Sequence, residues 1–348
     1  MTDTMLAGRL HLDNLKFTVE EVPIPEPGPD EVLIAVRAAG VCLSDVHIID
    51  GTLRLGSEGV ITLGHEVAGV VEKLGSAVPS SIAVGQRITL QAGQSCGSCA
   101  NCQVRRAPCL SPLTRGVQYD GGWAQYAIAR MDTLVPIPDD LPFDQAAIIP
   151  DAVSTPYASI VTTAGVRPAQ SAGVWGVGGL GSHGVQLLRL TGAAPIIAID
   201  PLPAARERAL AFGADLALDP TAPDFLDQIR AATNGLGLDH AFDFVGAQVV
   251  REQADSALAP NGGLVLTGIT PEPITITRSA PFSVAKHRLL GHYGYAPEDV
   301  AKLVALAGYG RLDLSKSISA HIPLADAAEA VRQLAEKVNN PIRLILVP

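Results

Sequence analysis

Residues 171–200 have the sequence SAGVWGVGGLGSHGVQLLRLTGAAPIIAID, which decides the fold of the chain. A short apolar run at 172–175 meets a glycine-rich turn, apolar residues then return at helical spacing, and a second apolar run ends at Asp200. This order predicts strand, tight turn, helix and strand, the context that a dinucleotide-binding turn requires. Glycines let the backbone approach a pyrophosphate, and free N–H groups at the helix start attract its charge.

The glycine motif predicts these cofactor-binding residues: Gly176, Gly178, Gly179, Leu180 and Gly181. A chain with 34 glycines in 348 residues can contain G-x-G-x-x-G by chance, but the flanking strands and the following acid favour a functional turn. The carboxylate of Asp200 can accept hydrogen bonds from the adenosine ribose, and its charge would repel a 2′-phosphate. The sequence therefore predicts NAD rather than NADP, with Arg206 and Arg208 close enough to leave NADP open as an alternative.

Length and composition set the broad class of the protein. A chain of 348 residues is long enough for two domains. Hydrophobic residues make up 47% and charged residues 17%, a balance that favours buried cores and excludes disorder. The net charge of −10 and the lack of a basic run argue against nucleic acid. Without a signal-type segment or a long apolar run, we expect a cytoplasmic protein that does not bind a membrane.

Four of the five cysteines crowd into one short segment, at Cys96, Cys99, Cys102 and Cys109. In a reducing compartment, such crowding indicates metal rather than disulfides. Four thiolates match a closed, tetrahedral structural zinc, which leaves no open position for chemistry. The alternative, four unrelated cysteines, is disfavoured by their spacing.

A second group of metal-type residues lies nearer the N-terminus. Cys42 and His65 stand on separate segments and offer a thiolate and an imidazole, both zinc ligands. Taken singly, Cys42 is more often a small buried hydrophobe, and His65 a core histidine, than a metal ligand.

The surrounding motifs settle this choice by resemblance. Gly-x-Cys-x-Ser-Asp-x-His at 40–47 and Gly-His-Glu at 64–66 resemble the catalytic-zinc motifs of the medium-chain, zinc-dependent alcohol dehydrogenases. The likeness continues through the cysteine segment and the glycine turn to Arg343. It implies two zincs per chain, with Cys42, His65 and Asp151 as ligands of the catalytic one. Many members have cysteine at the third position, and the alternative for Asp151 is an N-cap of a helix at 152–164.

The resemblance also assigns catalytic roles around this zinc. It places Ser44 against the substrate oxygen and His47 in the path that passes the proton to solvent. The alternative for His47 is a solvated loop histidine. Asp45 would orient His65, and Glu66 would either support the ligands or bind the zinc transiently.

Three further assignments concern the cofactor and the substrate pocket. Arg343 resembles the family arginine that contacts the pyrophosphate. Trp123 and Tyr293 are candidates for the wall of the substrate pocket, with a core or surface role equally open for each.

By resemblance, the fold class is α/β. A mainly-β, GroES-like catalytic domain occupies 1–152, a doubly wound Rossmann domain that binds NAD occupies 153–291, and 292–348 return to the first domain. The subunits are expected to form a homodimer or homotetramer.

The predicted function is that of a zinc-dependent alcohol dehydrogenase or ketone reductase, which transfers hydride between NAD and an alcohol or ketone. Asp151 and the apolar loop around 53–55 favour a hydrophobic secondary alcohol. Three alternatives remain: a polyol or amino-alcohol dehydrogenase, a zinc-free quinone or enoyl reductase, and a non-catalytic NAD-binding sensor. The zinc motifs disfavour the second, and the retained relay residues disfavour the third.

Overall fold

The structure is a computed structural model that describes residues 3–53, 59–104 and 109–348. Its contacts divide the chain into a first unit, Met1–Asp151 with Val300–Pro348, and a second unit, Ala152–Asp299. The sequence predicted domain boundaries after residues 152 and 291, and the two units instead divide after residues 151 and 299. Of the apolar loop around 53–55, Arg54 and Leu55 lie outside the described residues.

The strands are numbered here in chain order. They are β1 Thr4–His11, β2 Lys16–Pro23, β3 Glu31–Val41, β4 Val60–Thr62, β5 Val67–Leu74, β6 Arg87–Leu90, β7 Gly93–Gln94, β8 Leu113–Thr114, β9 Tyr126–Arg130, β10 Leu134–Pro136, β11 Ala172–Trp175, β12 Ile196–Ile199, β13 Leu216–Leu218, β14 Leu238–Asp243, β15 Leu258–Leu266, β16 Arg288–Gly291, β17 Ile318–Pro323 and β18 Arg343–Val347.

The α-helices are numbered in the same way. They are α1 Leu43–Ile49, α2 Ala100–Gln103, α3 Phe143–Ile148, α4 Ser154–Ala158, α5 Gly181–Thr191, α6 Pro203–Ala211, α7 Phe225–Ala232, α8 Gln248–Ala257, α9 Ser279–Val284, α10 Pro297–Gly308 and α11 Ala327–Ala335. Short 3-10 helices occupy Met131–Thr133, Ser315–Ser317 and Leu324–Asp326, and π-helical turns occupy Ile149–Val153 and Ser159–Ala164.

The first unit is built mainly from β-structure, as predicted. Its largest sheet has the order β10-β6-β5-β3-β18-β17, with β9 also paired to β3. The long central strand β3 is buried along almost its whole length, because apolar residues occupy both of its faces. The C-terminal strand β18 pairs antiparallel with β3, so the end of the chain completes the sheet that carries the beginning.

The second unit contains a six-stranded sheet of order β13-β12-β11-β14-β15-β16, with all of its neighbouring pairs parallel. This is the strand order of a doubly wound dinucleotide-binding fold, so the predicted fold class is confirmed. The central strands β11 and β12 are fully buried, as continuous apolar runs in a parallel sheet require. Helix α5 ends at Gly192, whose φ of +82° gives the left-handed cap that glycine favours.

The segment after α3 departs from the predicted helix at 152–164. A π-helical turn at Ile149–Val153 contains Asp151, and α4 begins only at Ser154. Asp151 is therefore inside a helical turn rather than at an N-cap, which rules against its alternative role. Turns of the π type are rare and occur often at functional sites.

Membrane-spanning helices were searched for throughout the described ranges. None of the helices there is long and apolar enough to cross a bilayer.

Candidate metal centres and cofactor site

Four buried or half-buried side chains of the first unit converge on one point. Ligand atoms of Cys42, His65, Glu66 and Asp151 all lie within 4.8 Å of one another. Asp151 Oδ2 is 3.3 Å from Cys42 Sγ and 3.4 Å from His65 Nε2. The structure thus brings together the three predicted ligands, and it places Glu66 beside them.

Local structure explains how these ligands meet. Cys42 is the N-cap of α1 directly after β3, and His65 lies in the short connection between β4 and β5. Strand β5 pairs with β3 in the same sheet, so both connections open near the same end. The third ligand, Asp151, comes from the π-helical turn, which lies much later in the sequence than Cys42 and His65.

Asp45 links two of the ligands and is itself fully buried. Its Oδ2 accepts a hydrogen bond from the Cys42 backbone N–H at 2.9 Å, and its Oδ1 lies 3.3 Å from His65 Nδ1. A carboxylate on one imidazole nitrogen leaves the other nitrogen aimed at the cluster, as in many metal sites. This geometry fits the positioning role predicted for Asp45.

The ionisable groups of the cluster shift one another's pKa values strongly. Burial opposes the charged form of His65, but Asp45, Asp151 and Cys42 together raise its pKa well above the ordinary value. Burial raises the pKa of Glu66 to about 8, against the pull of the nearby Arg343. Burial also opposes ionisation of Asp151, yet His65 and Arg343 hold its pKa below the ordinary value. The donors that meet here, a sulfur, an imidazole nitrogen and carboxylate oxygens, are those that bind zinc in proteins.

Arg343 lies at the start of β18 and is only 2% exposed. Its Nη2 is 2.7 Å from Glu66 Oε1 and 3.3 Å from Asp151 Oδ2. The guanidinium therefore belongs to the buried cluster, where it offsets two carboxylates. Sequence reasoning missed this contact, although an arginine that opens the otherwise apolar strand RLILV was a signal of a buried ion pair. Its predicted contact with the pyrophosphate remains a prediction.

Ser44 and His47 lie one helical turn apart on α1. Ser44 Oγ is 3.6 Å from Cys42 Sγ, next to the cluster. His47 Nδ1 is 3.7 Å from Asp50 Oδ2, and about a third of its side chain (35%) is exposed. Ser44 thus lies next to the cluster, and His47, one turn further along the helix, is partly exposed; their proton-relay roles remain predictions.

The four lobe cysteines form the second cluster, and all have free thiols. Cys109 Sγ is 3.5 Å from Cys96 Sγ and 3.9 Å from Cys99 Sγ, and the sulfurs of Cys96 and Cys102 are 4.0 Å apart. Sulfurs bound to one tetrahedral zinc lie about 3.8 Å apart, whereas a disulfide would require about 2.05 Å. The cluster therefore fits a structural zinc.

Backbone N–H groups point at these sulfurs and stabilise their thiolate forms. The N–H of Cys99 donates to Cys96 Sγ, and the N–H groups of Cys102 and Leu110 donate to Cys99 Sγ, each at 3.4 Å. Hydrogen bonds from the backbone of Ser98 and Cys99 lower the pKa of Cys96 to about 6. The neighbouring thiols of Cys99 and Cys109 raise the pKa of Cys102 to about 12, so full ionisation requires a cation.

The glycine turn has the shape that the sequence predicted. Gly176 has a φ of +84°, and a β-carbon at Gly181 would lie 1.8 Å from the Gly176 carbonyl oxygen. A β-carbon at Gly178 would meet nothing within 4 Å, so this side of the turn is open. Leu180 is the N-cap of α5, and the Gly179 carbonyl contacts the His183 ring at 2.7 Å. The open backbone before a helix start suits a pyrophosphate.

Asp200 closes the turn from the tip of β12. Its Oδ2 accepts a hydrogen bond from the Val177 N–H at 2.8 Å, and its Oδ1 accepts from the Leu202 N–H at 2.9 Å. Arg206 Nη1 donates to the Asp200 carbonyl at 2.8 Å, and Arg208 donates to the Val177 carbonyl. Both arginines are thus engaged by the backbone, which argues against their use for a 2′-phosphate.

The two predicted pocket residues lie in very different surroundings. Trp123 is 0% exposed and belongs to the hydrophobic core of the first unit. Its indole N–H donates to the Gly40 carbonyl at 3.0 Å, and its ring meets Phe17 edge to face. We therefore correct the role of Trp123 from pocket wall to core residue. Tyr293 is 75% exposed, and its predicted role stays a prediction.

Comparison with known proteins gives matches in both parts of the chain. The family described as Alcohol dehydrogenase GroES-like domain matches residues 28–139, and the family described as Zinc-binding dehydrogenase matches 179–308. An alcohol dehydrogenase of Rhizobium meliloti (strain 1021) is 34% identical over 275 residues, which cover 78% of this chain and 79% of that protein.

Two solved structures share the whole fold. A putative zinc-binding dehydrogenase from Sinorhizobium meliloti 1021, bound to NADP, has a TM-score of 0.91 at 28% identity and covers 99% of this chain and 100% of its own. The acetophenone reductase from Geotrichum candidum NBRC 4597, in complex with NAD, has a TM-score of 0.87 at 28% identity and covers 100% of this chain and 98% of its own.

Proposed function

The chain belongs to the zinc-dependent medium-chain alcohol dehydrogenase family and is an NAD-dependent oxidoreductase of that family, and we propose that its substrate is a hydrophobic secondary alcohol or the corresponding ketone. One of the similar structures is an acetophenone reductase, and acetophenone is a ketone of this chemical class. Two zincs and NAD are the cofactors, in line with the two ligand clusters and the glycine turn.

The observation that carries the proposal is the buried cluster of thiolate, imidazole and carboxylate in the first unit. In our proposal Cys42, His65 and Asp151 hold the catalytic zinc. When bound there, zinc supplies a Lewis acid that polarises the substrate oxygen. Three protein ligands leave one position open for the substrate, which a four-thiolate site does not.

The remaining residues of the site prepare the reaction by their own contacts. Asp45 orients the His65 imidazole, and Arg343 offsets the charge of Glu66. Ser44 contacts the substrate oxygen, and the His47 imidazole, which can both accept and donate a proton, passes the proton of the substrate towards solvent. Glu66, whose pKa is raised by burial to about 8, supports the ligand shell rather than completing it.

On the cofactor side, we propose that the glycine turn holds the pyrophosphate and that Asp200 binds the adenosine ribose. The support is the open face at Gly178 and the buried carboxylate beside the turn. NAD is preferred over NADP because the Asp200 charge repels a 2′-phosphate. Arg206 and Arg208 already bind backbone carbonyls, so neither is arranged to offset that repulsion.

We also propose a cytoplasmic homodimer or homotetramer. The free thiols of the lobe fit a reducing compartment. Light scattering on the purified chain tests the oligomeric state, and a monomer at working concentration would contradict it.

A substrate panel tests the proposed activity. NADH absorbance is followed with 1-phenylethanol and 2-butanol, with sorbitol as a polyol and with threonine as an amino alcohol. We expect the highest kcat/KM for the apolar secondary alcohols. Higher values for sorbitol or threonine would instead assign the polyol or amino-alcohol class, and binding of NADH without turnover of any alcohol would assign a sensor.

A further inference from the structure

The side chain of Trp123 touches both segments that carry the first two ligands of the buried cluster. Its indole N–H donates to the Gly40 carbonyl at 3.0 Å. Its ring lies against Gly64, where a β-carbon would come within 2.2 Å of Trp123 Cδ1. Gly40 precedes Cys42 by two residues, and Gly64 precedes His65 directly. One buried ring is therefore shared by the two backbone segments on which the ligands stand.

Neither glycine position tolerates a larger residue in this arrangement. A β-carbon at Gly40 would lie 1.9 Å from Glu66 Oε2, and Gly64 has a φ of +94° in the left-handed region. The Gly40 N–H also donates to the Glu66 carbonyl at 2.9 Å. The spacing of the two segments therefore depends on this backbone hydrogen bond and on the contacts that both glycines make with the indole.

The backbone of Trp123 is fixed independently of its side chain. Its N–H donates to the Leu63 carbonyl at 2.9 Å, and its carbonyl accepts from the Gly8 N–H at 2.7 Å. A change of the indole should therefore leave this strand-like connection in place. What it removes is the contact with Gly40 and the packing against Gly64.

We propose that Trp123 is a positioning residue of the buried zinc site, one that holds the Gly40 and Gly64 segments at the separation at which Cys42 and His65 share one metal ion. The inference rests on the proposed zinc site and deepens it. In this proposal Trp123 acts through the two glycines, whose segments carry the ligands. A residue with a packing role alone would stabilise the first unit without altering the affinity of the site for metal.

The Gly40 carbonyl makes the effect measurable. Trp123→Phe keeps an aromatic ring but leaves this buried carbonyl without its donor, which costs more than the loss of an exposed hydrogen bond. Changes to groups that support metal ligands typically weaken metal binding about 10–100-fold. We expect a loss of this size at the buried site and no change at the four-cysteine lobe.

The chain offers a matched control in its second tryptophan. Trp175 is also buried, at 1% exposure, and its indole N–H has no hydrogen-bond partner among the described residues. It lies in β11 of the second unit. Trp175→Phe should therefore remove a comparable volume without altering metal binding.

The experiment is a Co²⁺ titration of the metal-free whole protein, because cobalt bound to one thiolate and cobalt bound to four thiolates absorb differently. Wild type, Trp123→Phe and Trp175→Phe are compared, with melting temperature recorded for each. A variant with a sulfur isostere of tryptophan at 123, which keeps the ring shape and lacks the N–H, covers the case in which Trp123→Phe does not fold.

We expect the one-thiolate signal of both position-123 variants to require about 10–100-fold more Co²⁺, with the four-thiolate signal unchanged. Equal cobalt affinity in wild type, both position-123 variants and Trp175→Phe would overturn the positioning role, whatever the melting temperatures. Absence of the one-thiolate signal in wild type would instead overturn the proposed zinc site, so the two failures are distinguishable.

Discussion

The two candidate metal sites of the first unit are supported in opposite ways. At the lobe, four identical thiols stand half-exposed, and backbone N–H groups from their own segment stabilise them. At the buried site, one thiol, one imidazole and carboxylates come from distant segments and need Asp45 and Arg343 as support. The four-cysteine cluster is therefore built and supported by one short segment. The buried site instead depends on contacts between segments that are distant in sequence.

The first prediction removes one ligand from each cluster. Cys42→Ser should reduce kcat by at least ~100-fold with little change in melting temperature, because it damages the open site. Cys109→Ser should lower the melting temperature, because structural zinc contributes folding energy. The protein that remains folded should keep a higher kcat than Cys42→Ser. Steady-state kinetics and thermal unfolding measure both. If Cys109→Ser instead removed activity without loss of stability, the two clusters would have exchanged roles.

The second prediction concerns which carboxylate completes the buried ligand shell. Asp151→Asn keeps the size of the side chain but removes its charge, so zinc content should fall, with activity down about 10–100-fold. Glu66→Gln should leave zinc content near normal and act mainly on rate. Zinc analysis beside kcat separates the two. The reverse pattern would make Glu66 the third ligand.

The third prediction changes a residue outside both clusters. Asp200→Ala should weaken NAD binding by about 10–150-fold, because hydrogen bonds to a charged group contribute roughly 1.5–3 kcal/mol. NADP should suffer less, because the repulsive charge is gone. The ratio of kcat/KM values for the two cofactors measures this, with Asp200→Asn as the control that removes charge alone. An unchanged ratio would remove Asp200 from the adenosine site, and zinc content should stay at the wild-type value throughout.

The fourth prediction uses pH. Zinc requires the neutral imidazole, and the pKa of His65 without metal is raised, so protons compete with zinc across the neutral range. The affinity of the buried site should therefore be highest at alkaline pH and fall as pH decreases through the raised pKa. The His65 proton alone contributes up to about tenfold per pH unit, and the proton that the Cys42 thiol must also release adds to the slope. Chelator competition at several pH values measures the slope. A flat profile would show that metal binding at this site releases no proton, which would contradict ligation by both Cys42 and His65.

Sequence alone predicted the parts of the molecule that short segments determine. The apolar runs of β11 and β12 and the glycine turn between them predicted the dinucleotide fold, and the doubly wound sheet confirms it. The lobe cysteines were recognisable as one group because they stand within fourteen positions.

The sequence alone did not predict the features that depend on contacts between distant segments. Nothing in its neighbours shows that Asp151 lies in a π-helical turn, or that Arg343 folds back onto Glu66 across the sheet. For Trp123 the sequence left a pocket, a core and a surface role open. Its burial follows from Gly40 and Gly64, which are far away in sequence and leave room for the ring only in the folded state.

In this account one chain carries two zincs, a catalytic one at the buried site and a structural one at the four-cysteine lobe. The most direct test is metal analysis of the purified wild-type protein, with thiol titration and turnover measured on the same sample. The account predicts about two zincs per chain, no disulfide among the five cysteines, and turnover that falls in proportion as zinc is lost from the buried site. A fully active protein with a single zinc, or with an intact disulfide in the lobe, would contradict it.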